Sequence, residues 1–214
     1  MHQNVIIAIS RQLGSGGSLI GRQVADRLGV KYIDREILHQ AAELLHESEN
    51  ILSEREERLS SFWERVARAF CYGVPEAGYV PPPLRPIPDG ELFFAESTII
   101  RKLTENCSAV LVGRAGFYVL RDKPNLASVL LHAPSEIRIR RVMELYSIDD
   151  ALQAAEIVDD ADQQRAKFVK VMTGADWTDA RNYHLCINTA KTGFDKATEM
   201  IMSLAEKTRK NSSP

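Results

Sequence analysis

The chain has 214 residues, 44% hydrophobic and 26% charged, with a formal net charge of −2. That balance suits a soluble globular protein with one good-sized core. The small negative charge leaves no electrostatic footprint for a nucleic acid polymer, and no apolar run approaches the roughly 20 residues that cross a bilayer. The N-terminus has no basic segment followed by an apolar signal core and cleavage site. The three cysteines, Cys71, Cys107 and Cys186, form no paired motif. A reducing, cytoplasmic setting without a structural metal is expected.

Val5 to Ile9 is an apolar, β-branched run and predicts a strand buried on both faces, as in a parallel sheet. Arg11-Gln-Leu-Gly-Ser-Gly-Gly-Ser18 follows, then Leu19, Ile20, Val24, Ala25 and Leu28 at helical spacing. Strand, glycine-rich turn and helix make the frame of a phosphate-binding loop. Glycines let the backbone turn tightly and approach an anion, and the helix N-terminus adds partial positive charge. Against the pattern G-x-x-x-x-G-K-[ST], residues 11 to 18 keep Gly16 and Ser18. Arg11 replaces the first glycine and Gly17 replaces the lysine. That lysine normally reaches the transferred phosphates, and Arg11 is the nearest cation to stand in. The dinucleotide fingerprint G-x-G-x-x-G fails at Leu19. A turn that binds nothing is the rival reading, and the flanking strand and helix weigh against it.

Lys31 to Asp34 reads as a short strand ending in a carboxylate, and Arg35 to Leu45 as an amphipathic helix. His39 and His46 could share a helix face, although surface or packing roles outweigh a metal pair. Ser53 and Glu56 fit a capping box for another helix. Tyr72 to Gly90 holds six of the nine prolines and excludes regular helix or central strand. A helix is predicted from Leu92 to Leu103, a buried strand at Ala109–Val112 ending in Gly113-Arg114, and a strand at Ser128–His132. Ser135 is read as capping a helix on which Arg138 and Arg141 share a face and Arg140 does not. A long helix from about Asp149 to Met172 carries Asp162 and Arg165 one turn apart. A last strand spans His184 to Asn188. Thr192 and Asp195 open a C-terminal helix, with a frayed tail from Lys207. Taken alone, the arginine cluster reads as a solvated face paired with Glu136 and Glu144, and Asp162–Arg165 as an exposed ion pair.

Strands alternating with helices predict an α/β fold with a parallel sheet. Ligands then bind beyond the C-terminal strand ends, where Ser10 to Ser18, Asp34 and Gly113-Arg114 converge. An anion-binding loop, the Ser18 hydroxyl suited to Mg²⁺, and several arginines are the parts that phosphoryl transfer needs.

Ile9-Ser-Arg-Gln-Leu-Gly-Ser-Gly-Gly17, Tyr32-Ile-Asp-Arg-Glu-Ile37 and Val112-Gly-Arg114 together resemble the cytidylate kinase-like family of P-loop proteins. So do His132-Ala-Pro-Ser-Glu-Ile-Arg138, Asp162-Gln-Gln-Arg165 and Tyr183-His-Leu-Cys-Ile-Asn-Thr189. The resemblance implies a three-layer P-loop NTPase fold with a five-stranded parallel sheet. It implies one domain over 1–214, with a helical and proline-rich insert at about 47–95 and a lid at about 147–182. It further implies ATP and Mg²⁺, nucleotide substrates such as CMP or dCMP, and leaves room for a homo-oligomer. By position, Gly14, Ser15, Gly16, Gly17 and Ser18 would hold the ATP phosphates, Ser18 also serving the metal. Asp34, Arg114 and Asp162 would serve the acceptor side. Arg141 and Arg165 would clamp the transferring phosphates, with Arg11 as a third cation. Gly17, Gln40 and Ala115 depart from the lysine, arginine and aspartate of true cytidylate kinases. The departures leave open a nucleotide-binding module with little turnover, or a kinase for a non-nucleotide acceptor.

Overall fold

The computed structural model describes residues 4–34 and 90–211. The expected helices at Arg35–Leu45 and from Ser53, the proline-rich stretch, Gln40, and the insert up to residue 89 lie outside the described residues.

Strands β1 (Ile6–Arg11), β2 (Lys31–Ile33), β3 (Ala109–Val112), β4 (Leu126–His132) and β5 (Leu185–Asn188) form one sheet in the order β2-β3-β1-β4-β5. All four pairings are parallel. Every strand therefore ends on the same edge. β1 lies at the centre because its residues pack on both faces. Ile6 and Ala8 join one apolar cluster with α2 (Gly90–Leu103) and the short α3 (Gly116–Val119). Val5, Ile7 and Ile9 join another with α1 (Gly17–Leu28) and the C-terminal helix α7 (Phe194–Asn211). Alternating side chains on a central strand thus build the two cores of a three-layer α/β fold.

The remaining helices are α4 (Ser135–Tyr146), α5 (Ala151–Thr173) and the single turn α6 (Thr189–Thr192). With 23 residues, α5 is about 35 Å long. Asp150 caps it, accepting from the Leu152 N–H at 2.8 Å. Its first half packs Ala154 and Val158 against Val142 of α4 and against Leu13. Its second half packs Val169 and Phe168 with Phe117, Trp177 and Phe93 beside the β3 exit. The helix therefore spans the C-terminal edge of the sheet.

Three sequence expectations are corrected. Ser135 is the first residue of α4, and Pro134 is its N-cap with no side-chain bond. Proline fixes the entering backbone angle without donating a cap. The C-terminal helix starts at Phe194, after the separate turn Thr189–Thr192 and Gly193 in a positive-φ conformation. Lys207 to Asn211 continues that helix because Ala205 and Ile201 are buried just before it.

Ile201 is fully buried in the α1–α7 core. Ile201→Ala should cost about 2–5 kcal/mol of unfolding free energy in urea titration. Leu145, 71% exposed at the end of α4, should change stability by less than about 0.5 kcal/mol when cut to alanine.

Candidate active site

The loop from Gln12 to Gly16 connects β1 to α1. Gly14 (φ 76°) and Gly16 (φ 81°) are left-handed, which a side chain would strain. A Cβ at Gly14 would stand 2.6 Å from the Arg138 carbonyl oxygen, so α4 lies directly against the loop.

Four successive carbonyls of this loop are taken up. Gln12 O accepts the Ser15 hydroxyl at 2.8 Å. Leu13 O accepts Arg138 Nη1 at 3.2 Å, and Gly14 O accepts Arg141 Nη1 at 3.2 Å. Ser15 O accepts the Thr189 hydroxyl at 2.8 Å. The Leu13 N–H donates to Asp162 Oδ1 at 3.0 Å, and the Ser15 N–H donates to Gln12 O. Among the described residues, the N–H groups of Gly14, Gly16, Gly17 and Ser18 make no hydrogen bond. Gly17 and Ser18 open a helix whose first N–H groups lack carbonyls one turn earlier, and the N-cap Gly16 offers no side chain. The loop thus presents donors and a helix N-terminus, which is the chemistry of an anion site.

The arginines take different places. Arg138 is buried, donating to Ala133 O, Leu13 O and Asp162 Oδ2 at 3.0, 3.2 and 2.7 Å. It is not a solvated helix face, because α5 covers it and supplies Asp162. Arg141 bonds Gly14 O, the Thr189 hydroxyl and Thr189 O, and stacks 4.6 Å from the Phe194 ring centroid. It stands on the carbonyl side of the loop. Burial pulls its guanidinium below the ordinary value, with Glu144 opposing. Arg165 pairs with Asp162 Oδ1 at 2.9 Å and is about one quarter exposed. Asp162 therefore joins the Leu13 backbone, Arg138 and Arg165.

Arg11 leaves the end of β1 and crosses above Gly17. Its Cβ lies 2.5 Å from where a Gly17 Cβ would stand, with its Cγ also against that point. A side chain at position 17 is excluded while Arg11 holds this path. The guanidinium then rests against Gly113 at the end of β3.

The β3 exit is strained. Gly113, Arg114 and Ala115 have φ of 92°, 49° and 51°, and two of these carry side chains. Such conformations persist where surroundings enforce them and gather at functional sites. Arg114 Nε donates to Glu96 Oε2 at 2.7 Å, Nη2 reaches the same oxygen, and the guanidinium stacks 4.6 Å from Phe168. Glu96 is fully buried on α2. Nearby, Tyr183 donates its hydroxyl to Trp177 O at 2.6 Å, and burial pushes its pKa up. Asp34 sits immediately beyond β2, on the same edge.

The structure thus brings the loop, Arg11, Asp34, Arg114, Asp162, Arg165 and Arg141 to one edge of the sheet. Sequence reasoning missed Glu96, Thr189 and Phe194. Phe93, Glu96 and Ile100 share one helical face, which was the available sign that Glu96 is buried. Thr189 and Phe194 act across more than 170 residues, on Ser15 and Gly16, and leave no local pattern.

Among curated proteins, none matches the chain significantly. Among solved structures, an uncharacterized protein from Eubacterium ventriosum ATCC 27560 superposes with a TM-score of 0.70 at 23% identity, covering 95% of this chain and 99% of that one. A gluconokinase from Sinorhizobium meliloti 1021 superposes with a TM-score of 0.52 at 16% identity, covering 99% of this chain and 99% of that one. These similarities concern the fold. Residues 6–191 match the cytidylate kinase-like family, and the chain belongs to that family.

Proposed function

We propose that the protein transfers a phosphoryl group from ATP to a nucleoside monophosphate, with CMP or dCMP as the favoured acceptors. The observation that carries this reading is the loop whose carbonyls are bonded away while four N–H groups of the loop and the first turn of α1 have no partner among the described residues. Family membership supports the same chemistry. In this reading the chain is one P-loop kinase domain with an insert near 47–95 and a lid near 147–182.

The residues also fit Mg²⁺. Among the described residues, no three His, Cys, Asp or Glu side chains gather to cage an ion. Mg²⁺ binds through one or two protein oxygens, with water and substrate phosphates completing its shell. Ser18 and Asp34 would supply those oxygens. When bound, the ion neutralises charge on the phosphates.

The transfer forms a bond from an acceptor phosphate oxygen to the γ-phosphorus and breaks the bond to the β–γ bridging oxygen, which leaves with ADP. The attacking oxygen is already anionic, so no general base is required. The protein's task is alignment and charge. Gly14 to Ser18 hold the donor phosphates. Arg165, positioned by Asp162, and Arg11 offset the charge of the transferring group. Arg141 acts as a positioning residue, fixing the Gly14 carbonyl. Arg114 serves the acceptor side. Closure of α5 over the strand ends would exclude water.

A second reading, transfer to the hydroxyl of an uncharged small molecule, is favoured by Arg114 being engaged by the buried Glu96 carboxylate. An acceptor phosphate must share that guanidinium. Incubation with ATP, Mg²⁺ and a panel of monophosphates and small polyols separates the two. ADP with CDP or dCDP supports the first reading, and a phosphorylated polyol supports the second. Bound ATP with no product from any acceptor would make the protein a nucleotide-binding module.

Arg165→Ala should lower kcat by about a hundredfold, the loss of roughly 3 kcal/mol of transition-state stabilisation, while the melting temperature stays close to wild type. Asp162→Asn should cost about 2–3 kcal/mol in denaturant titration, because Arg138 is left buried with its charge unmatched. Amide exchange should accelerate in the first half of α5 and at Leu13, where the same carboxylate bonds both partners.

A further inference from the structure

We propose that Gly17 and Gly113 are the walls of a passage that carries Arg11 across the strand ends, so that its guanidinium addresses the terminal phosphoryl group and not the phosphates cradled by the loop. The inference rests on the reading of the loop as an ATP site.

The two glycines constrain Arg11 in different ways. At Gly17 the obstructing atoms are the Arg11 Cβ and Cγ. A Cβ is fixed to the backbone and cannot swing aside. Position 17, where a P-loop carries its lysine, is therefore closed to any side chain by Arg11 itself. The lysine and Arg11 are alternatives competing for one volume. At Gly113 (φ 92°) the obstructing atoms are the far end of the side chain, with Cζ 3.2 Å and Nη2 3.5 Å from an ideal Cβ position. That end can move, but the positive φ of Gly113 strains any side chain there as well, so a substitution at 113 would disturb both the guanidinium and the backbone.

The direction of travel fixes which phosphate it meets. In the sheet, β1 stands between β3 and β4. The carbonyl side of the loop faces α4 and Thr189, on the β4–β5 side. Arg11 runs the opposite way, to the β3 end, where Arg114 follows. Its head thus leaves the loop and stands between the loop and Arg114. In this proposal, a phosphate chain anchored by the loop would carry its last phosphoryl group toward that end. A guanidinium matches that group's equatorial oxygens with two parallel donors, which a lysine from α1 does not.

The test is calorimetric titration of ATP and of ADP, each with Mg²⁺, into wild type, Arg11→Ala and Arg11→Gln, with melting curves as the control for folding. ATP should bind about tenfold or more weakly to both variants, and ADP within about twofold of wild type. Arg11→Gln keeps the stem over Gly17, so a role in packing alone would leave both affinities unchanged. Equal losses for ATP and ADP would overturn the inference, since Arg11 would then serve the loop phosphates. Unchanged affinities in Arg11→Gln would overturn it as well. Wild type that turns over while Arg11→Ala loses both nucleotides equally sinks this inference alone; wild type that binds neither nucleotide sinks the ATP-site reading with it.

Discussion

Four carbonyls in a row, from Gln12 to Ser15, are bonded before any ligand arrives, and the rest of the site depends on it. A peptide unit fixes its N–H and C=O on opposite sides, so anchoring the carbonyls orients the donors. Backbone alone cannot do this in a loop with two left-handed glycines. Arg138, Arg141 and Thr189 do it from neighbouring elements. A guanidinium suits the task because it carries five donors in a rigid plane and has no acceptor of its own to satisfy. Burying Arg138 is costly, and Asp162 offsets the charge while bonding the Leu13 N–H. Loop shape, the α4 arginines and the α5 carboxylate therefore form one network, in which removing any member leaves a buried polar group unmatched.

The sheet was largely legible in the sequence. β1, β3 and β4 are short apolar runs, β-branched in β1 and β3, and burial on both faces makes such runs nearly continuous. The loop was legible as glycine spacing between a strand and a helix. Helix ends were less so: Pro134 and Gly193 set two starts through backbone angle, where side-chain capping letters pointed one or more residues away. The site was legible as a set of residues at one edge, because parallel strands end together. What each arginine bonds was not. The three-residue spacing of Arg138 and Arg141 gives a shared face but not its neighbour. Only the fold shows that the neighbour is a row of carbonyls, so an apparently solvated cluster became a buried support.

Gly17 illustrates how letters and volumes differ. Counted against a motif, it is a missing lysine. Seen in space, it is the room taken by the Arg11 stem. The Arg11 stem and a side chain at the start of α1 compete for that volume, so the two departures from the motif are coupled in space. Motif matching scores positions independently, whereas packing couples those that share space.

The same coupling extends along α5. Its first half holds the loop through Asp162 and Leu13, and its second half lays Phe168 over the Arg114 guanidinium. Phe93 of α2 meets the same ring edge-on at 5.6 Å. A helix of 23 residues without an internal proline or glycine bends only gently, so its two halves move largely together. On the function proposed above, a ligand that draws Arg165 toward the loop would also act on the apolar cover of Arg114, since Arg165 and Phe168 belong to the same helix. The loop cluster and the Arg114 cluster are separate groups of polar side chains, yet both are touched by the one helix. On the function proposed above, α5 would be the element through which a ligand at one cluster acts on a ligand at the other without direct contact between them.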